Sequence, residues 1–258
     1  MAEGELLQRL DGLPFAEVIG RSFEGRPIRA GRFGGDGEGP SAVTAPPPAT
    51  LLVVAGVHGD EPSTVEAVAD LALRVATAKW LVSRPFWLIP ALNPDGLARG
   101  GKNSARDVDL NRNFPAKNFT AQHQPRYFPG PAPLSEPETQ ALAALIAREP
   151  IDRVVAVHAP FACVNYDGPA ADWALEVSRA CGWPVKADIG YPTPGSLGSW
   201  LGGDRGWPIL TLELPAGPFA GFAADCRAAL ASAVGATISG DSSGAFGRGN
   251  AMNRERIR

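Results

Sequence analysis

The chain has 258 residues and a mass of 27.0 kDa, and 45% of the residues are hydrophobic while 20% are charged. This composition is typical of a soluble globular protein, and the length allows one large hydrophobic core. The formal net charge of −3 gives no electrostatic reason to expect a nucleic acid or an anionic membrane as partner.

The N-terminal segment 1–15 lacks a basic region followed by a sustained apolar stretch, so we predict no secretory signal. No apolar run approaches the roughly 20 residues that a membrane-spanning helix needs. We therefore expect a cytoplasmic protein without a membrane partner. The three cysteines, Cys163, Cys181 and Cys226, are widely separated, which predicts buried thiols rather than a disulfide framework or a cysteine-based metal site.

Predicted strands and helices alternate along the chain. A hairpin is predicted over 17–33, followed by a loop over 34–50. Short apolar runs predict strands buried on both faces, at 51–57, 85–92, 151–157 and 209–214. Helices are predicted from Pro62, behind a capping box at 135–138, and over 172–181 and 219–234. The alternation predicts the α/β class, with a mixed, mostly parallel central sheet covered by helices on both faces.

Composition also predicts where the ordered domain ends. The tail 239–258 is rich in Gly, Ser and Arg and has almost no apolar periodicity. We expect one catalytic domain over 1–238 and a disordered tail over 239–258. Within the domain, Gly, Asn, Asp and Arg dominate from Asn93 to Asn113, which predicts a loop there.

Polar residues follow the predicted strands directly. His58 comes after the first buried strand, Asn93 after the second, and His158 ends the third, while Glu213 lies near the end of the fourth. In open α/β sheets ligands bind at the carboxyl ends of the strands. The sequence therefore predicts a functional site at one edge of the sheet.

A metal site is the chemistry that the two histidines favour. His58 and Glu61 stand three residues apart in a strand-to-helix turn, so both side chains can reach one cation. His158 completes a set of two imidazoles and one carboxylate that suits zinc and leaves a position for water. Taken alone, the His-x-x-Glu pair is a weak signal, and His158 fits a hydrogen-bonded core histidine equally well.

Two further features have both a functional and a structural interpretation. Glu213 is a carboxylate inside an apolar strand, where it can serve as a base beside a metal or belong to a structural ion pair. Asn111 and Arg112 stand on a loop beside the predicted site, where the guanidinium fork can bind a carboxylate. Alone, Arg112 fits a solvated turn equally well.

Taken in order, six motifs resemble the zinc metallocarboxypeptidase family, and most closely its murein peptide amidase branch. The six motifs are HGDE, NPDG, VDLNRNFP, VHAP, GYPTPGSLGSW and TLELP. The resemblance begins in the predicted hairpin at about Gly20 and extends to Pro215. The resemblance implies a zinc carboxypeptidase-like fold and Zn²⁺ as cofactor. It also implies that His58, Glu61 and His158 are the zinc ligands and that Asp109 orients a ligand histidine.

The resemblance further implies how a substrate is bound and cut. Asn111 and Arg112 match the pair that binds the terminal carboxylate of the substrate. Glu213 matches the general base that later acts as an acid. Tyr191, twenty-two residues earlier, matches a mobile tyrosine that closes over the bound substrate.

One position departs from the family pattern. Six residues before the valine of VDLNR, the family has an arginine that polarises the scissile carbonyl, and this chain has Lys102. A lysine supplies a point charge without the planar fork. We predict that Lys102 takes the role, with Arg99 or Arg106 as the alternatives.

The expected function is zinc-dependent hydrolysis of a small peptide next to a residue with a free carboxylate. The resemblance implies the γ-D-glutamyl–meso-diaminopimelate bond of murein tripeptide, cut during recycling of wall fragments. One alternative is an N-acyl amino acid deacylase of the succinylglutamate desuccinylase or aspartoacylase type. Another is a non-catalytic peptide-binding relative. His123 stands in a Pro-rich loop that is either plain surface or a lid over the cleft.

Overall fold

The structure, a computed structural model, describes residues 17–34, 50–82, 84–121 and 124–238. The predicted tail 239–258 lies outside the described residues, as do His123 and nearly all of the predicted loop 34–50. Within the described ranges, no helix is both long and apolar enough to cross a membrane.

The described residues form a central sheet with helices packed against it. The strands are β1 (Glu17–Arg21), β2 (Pro27–Phe33), β3 (Thr50–Val54), β4 (Trp80–Val82), β5 (Phe86–Ile89), β6 (Ile151–His158), β7 (Phe161–Asp167), β8 (Val185–Lys186), β9 (Ile209–Pro215) and β10 (Ala236–Ile238). The α-helices are α1 (Pro62–Ala76), α2 (Pro94–Arg99), α3 (Pro137–Arg148), α4 (Ala171–Cys181) and α5 (Ala223–Val234).

Eight strands make one mixed sheet in the order β1-β2-β5-β3-β6-β9-β7-β8. The four central strands β5, β3, β6 and β9 are parallel, whereas β1, β2 and β5 pair antiparallel, as do β7 and β9. β4 and β10 form a separate two-stranded sheet. The prediction of an α/β fold with a mixed sheet is confirmed.

Alternate residues of the central strands face two hydrophobic clusters. In β3, Leu51 and Val53 belong to the cluster that contains α1, α4 and α5, while Leu52 and Val54 belong to the cluster that contains α3. The full burial of such residues explains their continuous apolar runs, since each contributes about 1.5–3 kcal/mol when removed from water. Helices therefore cover both faces, as predicted.

The predicted capping box at 135–138 is wrong. Helix α3 begins at Pro137, and Glu136 precedes it without a side-chain cap. Ser135 Oγ donates instead to Glu136 Oε1 at 2.9 Å, and Glu138 Oε1 accepts from the Phe23 amide at 3.1 Å. The Glu138 carboxylate therefore binds the hairpin between β1 and β2 instead of capping the start of α3.

Three other predictions need correction. The predicted loop 93–113 contains α2, which Asn93 caps by accepting from the Gly96 amide at 2.8 Å, and a 3-10 turn at Leu110–Arg112. The strand β7 was not predicted, nor was the short β8 that pairs with it. The last helix begins at Ala223, after a 3-10 turn at Phe219–Gly221.

Candidate active site

His58, Glu61 and His158 come together at the carboxyl edge of the parallel strands. One Glu61 oxygen lies 2.8 Å from His58 Nδ1, and the other lies 3.3 Å from His158 Nδ1. One candidate ligand atom from each residue lies within 4.8 Å of the other two. Because β3 and β6 are adjacent and parallel, the turn after β3 brings His58 beside the end of β6.

The turn that carries His58 and Glu61 needs glycine at position 59. A Cβ on Gly59 would lie 1.9 Å from the carbonyl carbon of Gly96, so no other residue fits against α2. Thr64 Oγ1 donates to the Glu61 carbonyl at 2.8 Å and links the turn to the first turn of α1. Packing and the helix start thus fix the spacing of the two side chains.

The electrostatics of this triad suit a divalent cation. Burial lowers the pKa of His58, but hydrogen bonds to Asp109 and Glu61 outweigh that effect and raise it to about 9. Burial raises the pKa of Glu61, but His158 and His58 outweigh it and lower the pKa to about 2. A carboxylate between two imidazoles is a donor set that zinc takes, with the cation in place of the protons.

Asp109 holds the outer side of His58. Its Oδ1 lies 3.1 Å from His58 Nε2 and accepts from the Asn111 amide at 2.9 Å, while Oδ2 contacts Lys102 Nζ. Burial raises the pKa of Asp109, but His58, Lys102 and Arg112 outweigh it and keep the pKa well below its usual range. A hydrogen bond at Nε2 leaves Nδ1 as the ring nitrogen that faces Glu61.

Of the three candidates Lys102, Arg99 and Arg106, Lys102 is the one that lines the pocket. Its Nζ lies 3.0 Å from His58 Nε2 and 5.4 Å from the centre of the Tyr127 ring, and burial lowers its pKa. Arg99 pairs with Glu24. Arg106 lies 3.6 Å from Glu136 and neither arginine lines the pocket.

Glu213 stands beside His158 in the register of β9 and β6. Its Oε2 is buried and has no hydrogen-bond partner among the described residues. Burial raises the pKa of Glu213 above its ordinary value of 4.5. An ion-pair role would require a basic partner on this carboxylate, and the described residues supply none.

Asn111, Arg112 and Tyr191 line the same pocket as the triad and Glu213. Asn111 Oδ1 accepts from the Leu197 amide at 3.0 Å, and Arg112 Nη1 donates to the Asn111 carbonyl at 2.7 Å. The Tyr191 side chain is 39% exposed, with its ring centre 6.3 Å from that of Phe161.

Several pocket residues were not predicted from the sequence. Arg126 and Tyr127 come from the Pro-rich loop that also contains His123, and Tyr127 lies 5.5 Å from the Arg112 guanidinium. The aromatic and basic residues of that loop are the sequence feature from which a place for Arg126 and Tyr127 in the pocket could have been predicted. Asp167 also lines the pocket, at the end of the unpredicted β7.

Comparisons with known proteins give a consistent result. The family model described as zinc carboxypeptidase matches residues 6–172. Murein peptide amidase A of Escherichia coli K12 is 34% identical over 218 residues, which cover 78% of this chain and 82% of the relative. Murein peptide amidase A of Vibrio campbellii is 36% identical over 177 residues, 64% of this chain and 68% of that protein.

A solved structure agrees with the sequence comparison. The crystal structure of murein-tripeptide amidase MpaA from Escherichia coli O157 superposes with a TM-score of 0.66 and 30% identity. The match covers 84% of this chain and 91% of that chain. The similarity therefore extends over most of the chain, and the family model covers the strands β3 and β6.

Proposed function

The chain belongs to the zinc carboxypeptidase family and is a hydrolytic enzyme whose cofactor is zinc, and we propose that it cuts the γ-D-glutamyl–meso-diaminopimelate bond of murein tripeptide. One observation carries the catalytic part of the proposal: Glu213, whose buried Oε2 has no hydrogen-bond partner among the described residues, stands next to the triad of His58, Glu61 and His158. The names of the relatives support the choice of substrate.

The triad and Glu213 divide the chemistry between them. His58, Glu61 and His158 would hold the zinc ion, which would act as a Lewis acid that lowers the pKa of water and polarises a carbonyl. Glu213 accepts the proton of the attacking water and passes it to the leaving amine. Its raised pKa favours this exchange, since a base whose pKa lies nearer to neutrality can also return the proton.

Cations that line the same pocket as Glu213 orient the substrate. Arg112 binds the free carboxylate of the leaving residue, and Asn111 positions Arg112 through its backbone carbonyl. Lys102 stabilises the negative charge that develops on the carbonyl oxygen. Tyr191 closes over the bound substrate from the rim. A requirement for the free carboxylate makes the enzyme cut at the end of a chain.

The same proposal includes the place of the reaction. Murein tripeptide arises when wall fragments are broken down, and we place the enzyme in the cytoplasm, where it releases diaminopimelate for recycling. Fractionation of cells that express the tagged chain tests this location. Recovery of the protein outside the cytoplasm would contradict it.

The proposed reaction is tested by zinc content and tripeptide hydrolysis on one preparation. We expect about one zinc per chain and release of diaminopimelate, with no release from the tripeptide whose terminal carboxylate is an amide. Hydrolysis of N-succinylglutamate or N-acetylaspartate in place of the tripeptide would indicate the deacylase function instead. Absence of zinc from active enzyme would contradict the mechanism.

A further inference from the structure

Tyr127 is an aromatic residue of the catalytic pocket to which the mechanism above gives no role. The Lys102 Nζ atom lies 5.4 Å from the centre of its ring, and the Arg112 guanidinium carbon lies 5.5 Å from the same centre. Cations within about 6 Å of an aromatic centre are attracted to the negative face of the ring. One ring thus contacts both cations that the mechanism uses, Lys102 for the scissile carbonyl and Arg112 for the terminal carboxylate.

The backbone that follows Tyr127 is bonded to the segment that carries Arg112. The next two carbonyls along the chain accept hydrogen bonds from the Asp109 amide at 2.8 Å and from Asn113 Nδ2 at 2.7 Å. These two donors lie on either side of Arg112 in the sequence. Backbone contacts therefore fix the ring relative to the guanidinium that it faces.

The neutral ring leaves Arg112 able to bind an anion. Arg112 is buried, and within the described ranges no carboxylate forms an ion pair with it, although its Nη1 donates to the Asn111 carbonyl. A carboxylate in the place of Tyr127 would pair with the guanidinium and compete with the carboxylate of a substrate. An aromatic face attracts the cation without neutralising it, so the guanidinium is oriented and still free for the substrate.

Lys102 depends on such a contact more than an arginine would. Its Nζ contacts Asp109 Oδ2 and lies 3.0 Å from His58 Nε2. An ammonium group on a flexible four-carbon stem has no planar fork to fix its direction. The contact with the Tyr127 ring further limits the positions that this ammonium can take.

We propose that Tyr127 is a positioning residue whose ring holds Lys102 and Arg112 in place for two groups of one substrate, the scissile carbonyl and the terminal carboxylate of the leaving residue. The inference rests on the proposed function, which gives the two cations these roles. It also explains how a lysine can serve where the family pattern has an arginine. Loss of the ring should act on kcat through Lys102 and on KM through Arg112.

Kinetics on the murein tripeptide test this role. Tyr127→Leu removes the ring and should lower kcat about 10-fold and raise KM about 10-fold, since each cation loses a contact in a buried site. Tyr127→Phe keeps the ring and should stay within about 3-fold of the wild type in both constants. Phe23→Leu, which removes a ring 5.5 Å from the Arg106 guanidinium outside the pocket, is the matched control and should change neither. Equal losses in Tyr127→Phe and Tyr127→Leu would overturn the proposal, because the hydroxyl would then be the acting group.

A double-mutant cycle distinguishes positioning from a general loss of structure. Lys102→Met removes the charge and keeps a side chain of similar length. Adding Tyr127→Leu to it should cause no further fall in kcat, because the ring then has no ammonium group to position. A fall in kcat that is the product of the two single effects would overturn the role of the ring towards Lys102.

NMR of the lysine side chains tests the contact without a substrate. The chain has four lysines, and each ¹³C-labelled Cε signal can be assigned by substitution at Lys79, Lys102, Lys117 or Lys186. Protons over the face of a ring resonate upfield, so the Lys102 signal of the zinc-loaded enzyme should lie upfield in the wild type and in Tyr127→Phe but not in Tyr127→Leu. A Lys102 signal without this shift in the wild type would overturn the proposal. An intact shift in an enzyme that does not cut the tripeptide would support the ring contact and contradict the proposed function.

Discussion

Glu213 and His158 occupy paired positions on adjacent parallel strands, so that backbone hydrogen bonds of the sheet fix the distance between them. Their side chains point to the same face, where the pocket lies. In the proposed mechanism His158 holds the metal and Glu213 transfers the proton. The separation of these roles thus depends on sheet register, which does not change when a substrate binds or a loop moves.

Replacement of Glu213 by glutamine should remove the proton carrier without removing the metal. We expect kcat to fall about 10²- to 10⁴-fold, the usual contribution of a general base, because the amide cannot take a proton from water. Zinc content, measured by atomic absorption, should stay at the wild-type value. Glu176→Gln, exposed on α4, is the matched control. Loss of zinc from Glu213→Gln would show that this carboxylate supports the metal instead.

Asp109 should control how tightly the metal is held. Asp109→Asn removes the negative charge that orients His58, and loss of such a partner typically weakens metal binding about 10- to 100-fold. Competition with a chromogenic chelator measures the change. Asp107→Asn, exposed two residues earlier in the same loop, should bind zinc like the wild type. Equal zinc affinity of both variants would contradict the role of Asp109.

The sequence predicted the central strands and the residues at their ends because both depend on local patterns. Apolar runs mark β3, β5, β6 and β9, and polar residues follow each run. Asn93 and Pro94 also carried a usable signal, since both favour the start of a helix, but the surrounding glycines obscured α2. The site itself became specific only through the ordered motifs, because a single His-x-x-Glu pair is common.

What could not be predicted depends on contacts between distant segments. Strand β7 is stabilised by its pairing with β9, almost fifty residues later, and its own apolar run covers only 161–164. The Glu138 carboxylate bonds to Phe23, which lies more than a hundred residues away. Asp167 belongs to no motif that would mark it in the sequence, and only the fold shows that it lines the pocket. Tertiary contacts in these places override the local preference.

Lys102 should contribute to catalysis where Arg99 and Arg106 do not. Because Lys102 faces the pocket, Lys102→Ala should lower kcat about 10²- to 10³-fold, as loss of an oxyanion donor does. Arg99→Ala and Arg106→Ala, whose side chains pair elsewhere, should keep kcat near the wild-type value. Steady-state kinetics on the tripeptide measure all three.

A second measurement separates two roles for Lys102, which also contacts Asp109. Zinc affinity of Lys102→Ala should remain within a few-fold of the wild type if the lysine acts on the substrate. A large change in zinc affinity with unchanged kcat of the loaded enzyme would mean that Lys102 serves only to neutralise Asp109. Loss of kcat in Arg106→Ala alone would transfer the role to that arginine.

Glu138 should make the protein less stable as the pH rises. Burial, together with the carboxylates of Asp95 and Glu136, raises its pKa from 4.5 to about 7, and its Oε2 has no partner among the described residues. The folded state therefore holds a proton that the unfolded state has lost above pH 4.5. The stability is fully present below that pH and is lost as the pH rises through about 7, by roughly 3 kcal/mol in all.

Glu138→Gln should remove this pH dependence, because the amide keeps the acceptor for Phe23 and cannot ionise. Urea unfolding at pH 5 and pH 8 measures the free energy of unfolding of both proteins. We expect the difference between variant and wild type to grow by roughly 2–3 kcal/mol from pH 5 to pH 8. Glu176→Gln should leave the wild-type pH dependence unchanged. A difference that stays constant with pH would mean that Glu138 is ionised in the folded protein at both values.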